Sequence, residues 1–243
     1  MAMDSNAFPA SITVTEQTFD ISSFSEQWKK DVVALEKLIV NKYRESGKER
    51  YVVAFGGASG SSKSTTAKVL ERLIRAEGIP AVAASADGYH FQQEYLLRTL
   101  DEEGNPLAQH KGRYDSFDVS AMKRDLERFV RGEPANFPEY SRKIHDPVAN
   151  AIRIEGATLL IFEGLWLLYD HAPWNELLSL YDLTIFFHAN PEARKRNTIT
   201  RHVRGNEHPP REAEAFYESS DAKNAEFILH NVAEHDAEFL ITV

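Results

Sequence analysis

The stretch from Tyr51 to Leu70, YVVAFGGASGSSKSTTAKVL, constrains the fold of this chain more than any other. Its first five residues are apolar and rich in β-branched and aromatic types, which predicts a buried strand. A Gly- and Ser-rich loop follows, and Lys63-Ser64-Thr65 then opens a helix. A strand, a loop of this kind and a helix form a phosphate-binding P-loop, whose N–H groups and positive helix N-terminus surround a polyphosphate.

The P-loop predicts a nucleotide site, in which Lys63 neutralises phosphate charge and the Ser64 hydroxyl ligates Mg²⁺. The motif is imperfect, because Ser62 stands where the last glycine of G-x-x-x-x-G-K-[ST] belongs. A Ser-rich turn ahead of an ordinary helix is the alternative. The residues predicted to bind nucleotide are Gly57, Ala58, Ser59, Gly60, Ser61, Ser62, Lys63, Ser64 and Thr65.

Composition excludes several classes of protein. The 243 residues are 42% hydrophobic and 27% charged, as in an ordinary soluble globular protein. A formal charge of −9 argues against a non-specific nucleic-acid binder, which needs clustered Lys and Arg. No cysteine is present, so disulfides, Cys-based zinc sites and a thiol nucleophile are excluded. Without a signal-peptide pattern or a long apolar run, we expect a cytoplasmic protein with no membrane contact.

The order of predicted elements indicates the fold class. Apolar strands that alternate with helices are typical of a parallel sheet covered on both faces. We therefore predict an α/β fold with a doubly wound parallel sheet, helices on both faces, a P-loop kinase arrangement and a helical lid at about 192–212. We expect residues 1–22 to be a lead-in with a short strand at Ser11–Val14, and residues 23–243 to form one domain. The other predicted elements are a helix from Ser23 to about Ser46, strands at 81–84, 183–187 and 238–243, a strand pair at 151–154 and 158–162, a helix capped by Asp118, a basic helix at 192–204 and an acidic helix at 211–230.

Two carboxylates directly follow predicted strands. In a doubly wound sheet the ligand lies at the carboxyl ends of the strands, so Asp87 and Glu163 are expected to face one crevice with the P-loop. Asp87 is the candidate general base, and a turn cap is its alternative. Glu163 is the candidate metal-side acid that holds Mg²⁺ with Ser64, and a turn carboxylate before Gly164 is the alternative.

Positive charge follows the last inner strand, in the basic helix. P-loop kinases place there a lid whose arginines close on the phosphates, and Arg201 is the residue we assign to that role. The other basic residues of the helix are expected to form a solvated face. A polar cluster, Tyr140-Ser141-Arg142 with His145, could contact a small polar substrate, or could be a loop packed by its own aromatic side chain.

Ordered motifs along the chain resemble the phosphoribulokinase/uridine kinase class of P-loop small-molecule kinases, and within it bacterial nucleoside/nucleotide kinase-like proteins sometimes called fructose-transport-system kinases. The resemblance covers about Tyr51 to Val243, and extends more distantly to bacterial pantothenate kinase. The motifs that carry it are the P-loop, Ala86-Asp87-Gly88-Tyr89-His90, Lys111-Gly112 with Ser116-Phe117-Asp118, Tyr140-Ser141-Arg142 with His145-Asp146, Glu163-Gly164 with Trp166, Pro173-Trp174, Arg201-His202, and Asp221 with Asn224.

This resemblance implies ATP- and Mg²⁺-dependent phosphorylation of a hydroxyl on a small metabolite such as a nucleoside, a pantothenate-like compound or a sugar. Asp87 takes the base position, Lys63 the phosphate position and Arg201 the lid position. Kinases resembling this one are often dimers, so a homodimer is compatible with the chain. The residues implied to face the acceptor are Tyr89, His90, Tyr140, Arg142 and His145.

Two positions depart from the family pattern. Ser62 replaces a glycine, and its Cβ could crowd the β-phosphate. Ser141 stands where close relatives usually have aspartate, which would change recognition of a polyol-like acceptor. The alternative function is therefore a catalytically degenerate P-loop protein that binds nucleotide or metabolite as a sensor.

Overall fold

The computed structural model describes residues 8–205, 209–232 and 239–242. Its strands include the predicted one at Ser11–Val14, which is confirmed, and a closing strand within the range expected for it. The strands, in chain order, are β1 (Ser11–Val14), β2 (Gln17–Asp20), β3 (Tyr51–Gly56), β4 (Ala81–Ser85), β5 (Asn136–Ser141), β6 (Asp146–Arg153), β7 (Leu159–Glu163), β8 (Leu183–His188) and β9 (Phe239–Thr242).

The first and fourth helices begin where capping side chains accept free backbone N–H groups. Ser25 accepts a hydrogen bond from the backbone N–H of Trp28 and caps the first helix. Asp118 does the same for Ala121 and caps the fourth, as predicted. The helices are α1 (Glu26–Ser46), α2 (Lys63–Ala76), α3 (Gln93–Arg98), α4 (Val119–Val130), α5 (Pro191–Gly205), α6 (Pro210–Phe216) and α7 (Ala222–Asn231).

Five parallel strands form the central sheet in the spatial order β4-β7-β3-β8-β9. All residues of β3 and β7 are buried. Alternate residues of β3 enter two different cores: Val52 and Ala54 lie in one, and Val53 and Phe55 in the other. A strand buried on both faces requires helices on both faces. The predicted α/β fold with a doubly wound parallel sheet is confirmed.

The predicted pairing of residues 151–154 with 158–162 is wrong. Residues 151–153 belong to β6, which pairs antiparallel with β5, whereas β7 lies between β3 and β4. The two strands are separated at Gly156, whose φ of +78° turns the chain toward the sheet. Residues 159–162 of β7 are all apolar, which suits a central parallel strand better than one arm of a hairpin.

The predicted acidic helix is interrupted. A π-helical turn from Tyr217 to Asp221 separates α6 from α7, and such turns frequently occur at functional sites.

Among the described residues, none of the helices combines the length and the apolar character that a membrane span requires.

Candidate active site

The P-loop connects β3 to α2 through residues 57–62, as predicted. Gly57 and Gly60 have φ values of +143° and +78°, which side chains rarely allow. A Cβ on Gly60 would lie 2.4 Å from the carbonyl oxygen of Arg194 and 2.5 Å from Oγ1 of Thr198. The glycine therefore permits α5 to pack directly on the loop.

Lys63 folds back over the loop that precedes it. Its Nζ donates to the carbonyl oxygens of Gly57 at 2.7 Å and Ala58 at 3.0 Å, and the side chain is buried. Burial lowers the pKa of Lys63 to about 8, and the charges of Glu163 and Asp87 oppose this shift. The ammonium group is thus placed where it can neutralise a phosphate, and its charge is sensitive to that neighbourhood.

Ser64 and Glu163 are brought together at the carboxyl end of β7. The Ser64 hydroxyl donates to Oε1 of Glu163 at 2.9 Å. Burial, followed by the charge of Asp87, raises the pKa of Glu163, and Lys63 acts in the opposite direction. Residues 8–205, 209–232 and 239–242 contain no group of three His, Asp or Glu side chains able to hold a metal ion. Mg²⁺ is often held by one or two carboxylates together with substrate phosphates, and the Ser64–Glu163 pair fits that donor set.

Ser62 adopts the conformation that the P-loop requires from a glycine. Its φ is +64° and its ψ is +14°, in the left-handed region, and its hydroxyl does not cap α2. Its carbonyl still accepts the backbone N–H of Thr66 at 2.9 Å. The loop therefore keeps its path, at the cost of the strain that an L side chain suffers there.

We expect Ser62→Gly to raise the free energy of unfolding by about 1 kcal/mol, because glycine adopts left-handed φ without a Cβ clash. Ser62→Ala keeps the Cβ and removes only a hydroxyl that does not cap α2, so it should leave the free energy of unfolding unchanged. Urea unfolding of the three proteins tests this expectation. Equal stability of the glycine and alanine variants would show that backbone strain at residue 62 is negligible.

Asp87 lies in a short 3₁₀ turn directly after β4, and its backbone N–H donates to Oγ of Ser85 at 3.2 Å. Ser85 is the register partner of Glu163 in the neighbouring strand, and Glu163 is also the partner of Phe55 in β3. The ends of three adjacent strands therefore bring Asp87, Glu163 and the P-loop together. The side chain of Asp87 is half-buried.

His90, Tyr140 and Arg142 lie near Asp87, and Nδ1 of His90 contacts the carbonyl oxygen of Asp87 at 2.8 Å. The rings of His90 and Tyr140 are 5.4 Å apart. Burial raises the pKa of Tyr140, and the charge of Asp87 adds to the effect. Burial and then the charge of Arg201 lower the pKa of Arg142 to about 10, while Asp87 opposes the shift. The charge of Asp87 thus acts on Tyr140 and Arg142, and its carbonyl oxygen contacts His90.

Tyr89 and His145 are not brought into this group. Tyr89 is buried in the core, where its hydroxyl donates to Oδ2 of Asp125 at 3.1 Å and burial raises its pKa. His145 is exposed in the turn between β5 and β6, with a φ of +55°. Its backbone oxygen accepts from Nζ of Lys111 at 2.7 Å, and that ammonium group lies 5.1 Å from the ring centroid of Tyr140.

The basic helix α5 lies against the P-loop. Arg201 donates from Nη2 to Oγ of Ser59 at 3.2 Å and pairs with Asp221 at 3.5 Å. Asn197 donates to the carbonyl oxygen of Gly60 at 3.1 Å. Arg201 is therefore at the loop, next to the predicted phosphate position.

Arg194, which the sequence predicts on a solvated face, is instead buried next to the P-loop. It is only 8% exposed, and its Nε and Nη1 have no hydrogen-bond partner among the described residues. Its charge helps to lower the pKa of Lys63. Arg194, Thr198 and Arg201 follow an i, i+4, i+7 spacing, so one helical face meets the loop. That spacing was the signal from which Arg194 could have been found.

Asp221 connects α5 to the P-loop. It accepts from Nε2 of His202 at 2.7 Å and lies in the π-helical turn. Burial alone would raise the pKa of Asp221, but hydrogen bonds from His202 and Ser59 and the charge of Arg201 hold it below its usual value. The sequence placed Asp221 in a family motif without giving it a role.

A cavity of about 840 Å³ lies between α4 and the β5–β6 hairpin. Tyr89 and His90 line it together with Asp125, Arg128 and Arg153, and no P-loop residue does. The cavity therefore borders His90 but does not include the P-loop.

Comparison with known proteins identifies the family of this chain. The sequence profile described as the phosphoribulokinase/uridine kinase family matches residues 52–229. The uncharacterized protein YggC of Escherichia coli K12 is 34% identical over 184 residues, which cover 75% of this chain and 74% of YggC. A uridine kinase of Brevibacillus brevis is 24% identical over 155 residues, covering 63% of this chain and 66% of the relative.

Solved structures share the fold. A provisionally named fructose transport system kinase from Silicibacter sp. TM1040 superposes with a TM-score of 0.74 at 24% identity, covering 86% of this chain and 98% of the other. Phosphoribulokinase from Rhodobacter spheroides superposes with a TM-score of 0.53 at 18% identity, covering 76% and 66%.

Proposed function

Since the chain belongs to the phosphoribulokinase/uridine kinase family, we propose that it is an ATP-dependent kinase that phosphorylates a hydroxyl of a small metabolite. The observation that carries this proposal is the meeting of Asp87, Glu163 and the P-loop at the ends of three neighbouring strands, β4, β7 and β3. The charge of Asp87 acts on the pKa values of Lys63 and Glu163. It also acts on the pKa values of Tyr140 and Arg142.

In the proposed reaction, the acceptor oxygen attacks the γ-phosphorus of ATP and gives its proton to the carboxylate of Asp87. The bond from the γ-phosphorus to the β–γ bridging oxygen breaks, and ADP leaves. Lys63 neutralises the phosphates, and Ser64 and Glu163 would hold Mg²⁺, which when bound offsets phosphate charge. Arg201 closes from α5 on the transferring group, and covering the site in this way keeps water out.

The acceptor is held from the hairpin side. We assign His90, Tyr140 and Arg142 to its recognition, because a half-buried guanidinium and two rings beside the base suit a small polar compound with a hydroxyl. The relatives include kinases for uridine and for pantothenate. We therefore propose nucleosides and pantothenate-like compounds as the first acceptor classes, with sugars as the third.

The test is release of ADP from ATP and Mg²⁺ across a panel of nucleosides, pantothenate, sugars and sugar acids. One acceptor should raise the rate far above that of ATP alone. If the whole panel is silent while ATP binding is confirmed in the same preparation, the kinase proposal fails for these acceptor classes.

A second candidate function rests on Ser62. A serine held at a φ of +64° in the phosphate loop is compatible with a P-loop that binds nucleotide without chemistry, as a sensor. Activity that appears in Ser62→Gly and is absent from the parent protein would favour this candidate. Turnover by the parent protein would eliminate it.

The pKa of Lys63 predicts proton uptake on nucleotide binding. The pKa of about 8 in the folded protein is below the unfolded value of about 10.4. The charged lysine therefore lowers the free energy of unfolding of the nucleotide-free protein, and below pH 8 this cost is fully present. Its contribution to the free energy of unfolding then rises with pH between 8 and the unfolded value. Bound phosphates favour the charged form, so ATP binding at pH 8.5 should take up a proton.

Calorimetric titration of ATP at pH 8.5, in two buffers with different ionisation enthalpies, measures that uptake. The heats should differ between buffers for the parent protein and agree for Lys63→Arg, which stays charged. Equal heats for the parent protein would contradict the lowered pKa.

A further inference from the structure

The N-terminal hairpin is anchored to the rest of the fold. Ile12 of β1 and Ile21, just after β2, are buried at 3% and 1% exposure, in the core that also holds residues of β3 and α2. Trp28 of α1 donates from its ring N–H to Oγ1 of Thr66 at 3.3 Å, in the first turn of α2 after the P-loop. The hairpin is thus fixed at its base, and its turn is held in a defined place.

The turn of this hairpin is strained. Thr15 and Glu16 connect β1 to β2 with φ values of +41° and +66°. Two-residue hairpin turns of this left-handed type strongly favour Asn-Gly or Gly-Gly, because other side chains clash there. A β-branched threonine with positive φ is an outlier. Such strain persists only where surrounding contacts over-determine the conformation.

The contacts that hold the turn come from two elements of the proposed active site. Oε1 of Glu16 accepts the hydroxyl of Ser141 at 2.9 Å, and Oε2 accepts the backbone N–H of Lys143 at 3.3 Å. Gln17 donates from Nε2 to the backbone oxygen of Arg201 at 3.4 Å. The tip of this hairpin, residues 15–17, therefore contacts both the end of β5 and the helix α5.

We propose that Glu16 is a positioning residue for the acceptor side of the site, and that Gln17 links it to the lid. Ser141 lies between Tyr140 and Arg142, so a carboxylate that fixes Ser141 and Lys143 also fixes the direction of the two acceptor-side groups. The Gln17 contact ties this hairpin tip to the helix that carries Arg194 and Arg201. The positioning role in catalysis rests on the proposed kinase function, whereas the contacts of Glu16 and Gln17 do not depend on it.

Hydrogen exchange tests the geometry without ATP or acceptor. In the full chain, Glu16→Ala should speed amide exchange in residues 139–146 by about five-fold, since two hydrogen bonds to a charged group are lost. Glu16→Gln keeps one acceptor oxygen and should give an intermediate rate. Thr18→Ala is the matched control, because it removes only the hydroxyl contact between Thr13 and Thr18 within the same hairpin.

Kinetics then test the positioning role. With an acceptor found in the panel, Glu16→Ala should raise the KM for the acceptor by about five-fold and leave the KM for ATP unchanged, with partial rescue in Glu16→Gln. Exchange at 139–146 that is the same in Glu16→Ala and Thr18→Ala would overturn the proposal, whether or not the protein proves to be a kinase. An equal change in both KM values would also overturn it, because it would indicate a general structural effect.

Discussion

Asp87→Asn is expected to lower kcat by about 10²- to 10⁴-fold, the range that a positioned general base contributes. The amide has nearly the same shape but cannot accept the proton of the attacking hydroxyl. The fold should survive, because backbone atoms of Asp87 support its turn: the N–H donates to Ser85 and the carbonyl oxygen accepts the N–H of His90. Removing its charge also removes an influence that raises the pKa of Glu163. The measurement is steady-state turnover at saturating ATP, together with thermal unfolding.

Asp125→Asn is the matched control for this variant. Asp125 accepts the hydroxyl of Tyr89, and an asparagine oxygen can accept the same bond. Its turnover should equal that of the parent protein. Full turnover in Asp87→Asn would remove Asp87 from the role of base, and a lowered rate in both variants would mean that the effect is not specific to Asp87.

Arg194→Ala is expected to lower kcat by about 10²- to 10³-fold, the cost of removing one donor aimed at developing charge. A buried guanidinium with two nitrogens that lack partners among the described residues is expensive unless an anion completes it. The structure places it beside the P-loop, where the transferring phosphate would supply that anion. The KM for ATP should rise as well.

Two variants separate charge from packing at this position. Arg194→Lys keeps the charge and should recover part of the lost rate, although not the fork geometry of the guanidinium. Arg196→Ala removes an exposed arginine of the same helix and should have no effect. Similar losses in Arg194→Ala and Arg196→Ala would indicate a diffuse electrostatic role for α5.

Much of the fold could be predicted because the informative segments are local. The apolar runs of β3, β7 and β8 identify buried strands without any tertiary knowledge, and parallel strands place their carboxyl ends at one edge. The meeting of Asp87 and Glu163 follows from that rule. In the structure, Ser85 at the end of β4 is the register partner of Glu163 at the end of β7, and Asp87 follows Ser85 by two residues.

The missed features depend on packing between distant segments. The strand β5 contains a proline and shifts register near it, so its pairing with β6 leaves a weak periodic signal. Tyr89 follows Asp87 by two residues, yet the turn directs its ring into the core against Phe137. The contact of Glu16 with Ser141 spans 125 positions, and no local pattern predicts such a contact.

The most direct test of the central claim is identification of the product by mass spectrometry. The parent protein, ATP and Mg²⁺ are incubated with the acceptor panel, and the acceptors are examined for a gained phosphoryl group, with Asp87→Asn in parallel. We predict one phosphorylated acceptor class with the parent protein and almost none with Asp87→Asn. Phosphorylation of the same acceptor at equal rates by both proteins, or ATP binding without any phosphorylated acceptor, would contradict the claim that Asp87 and the P-loop form a kinase active site.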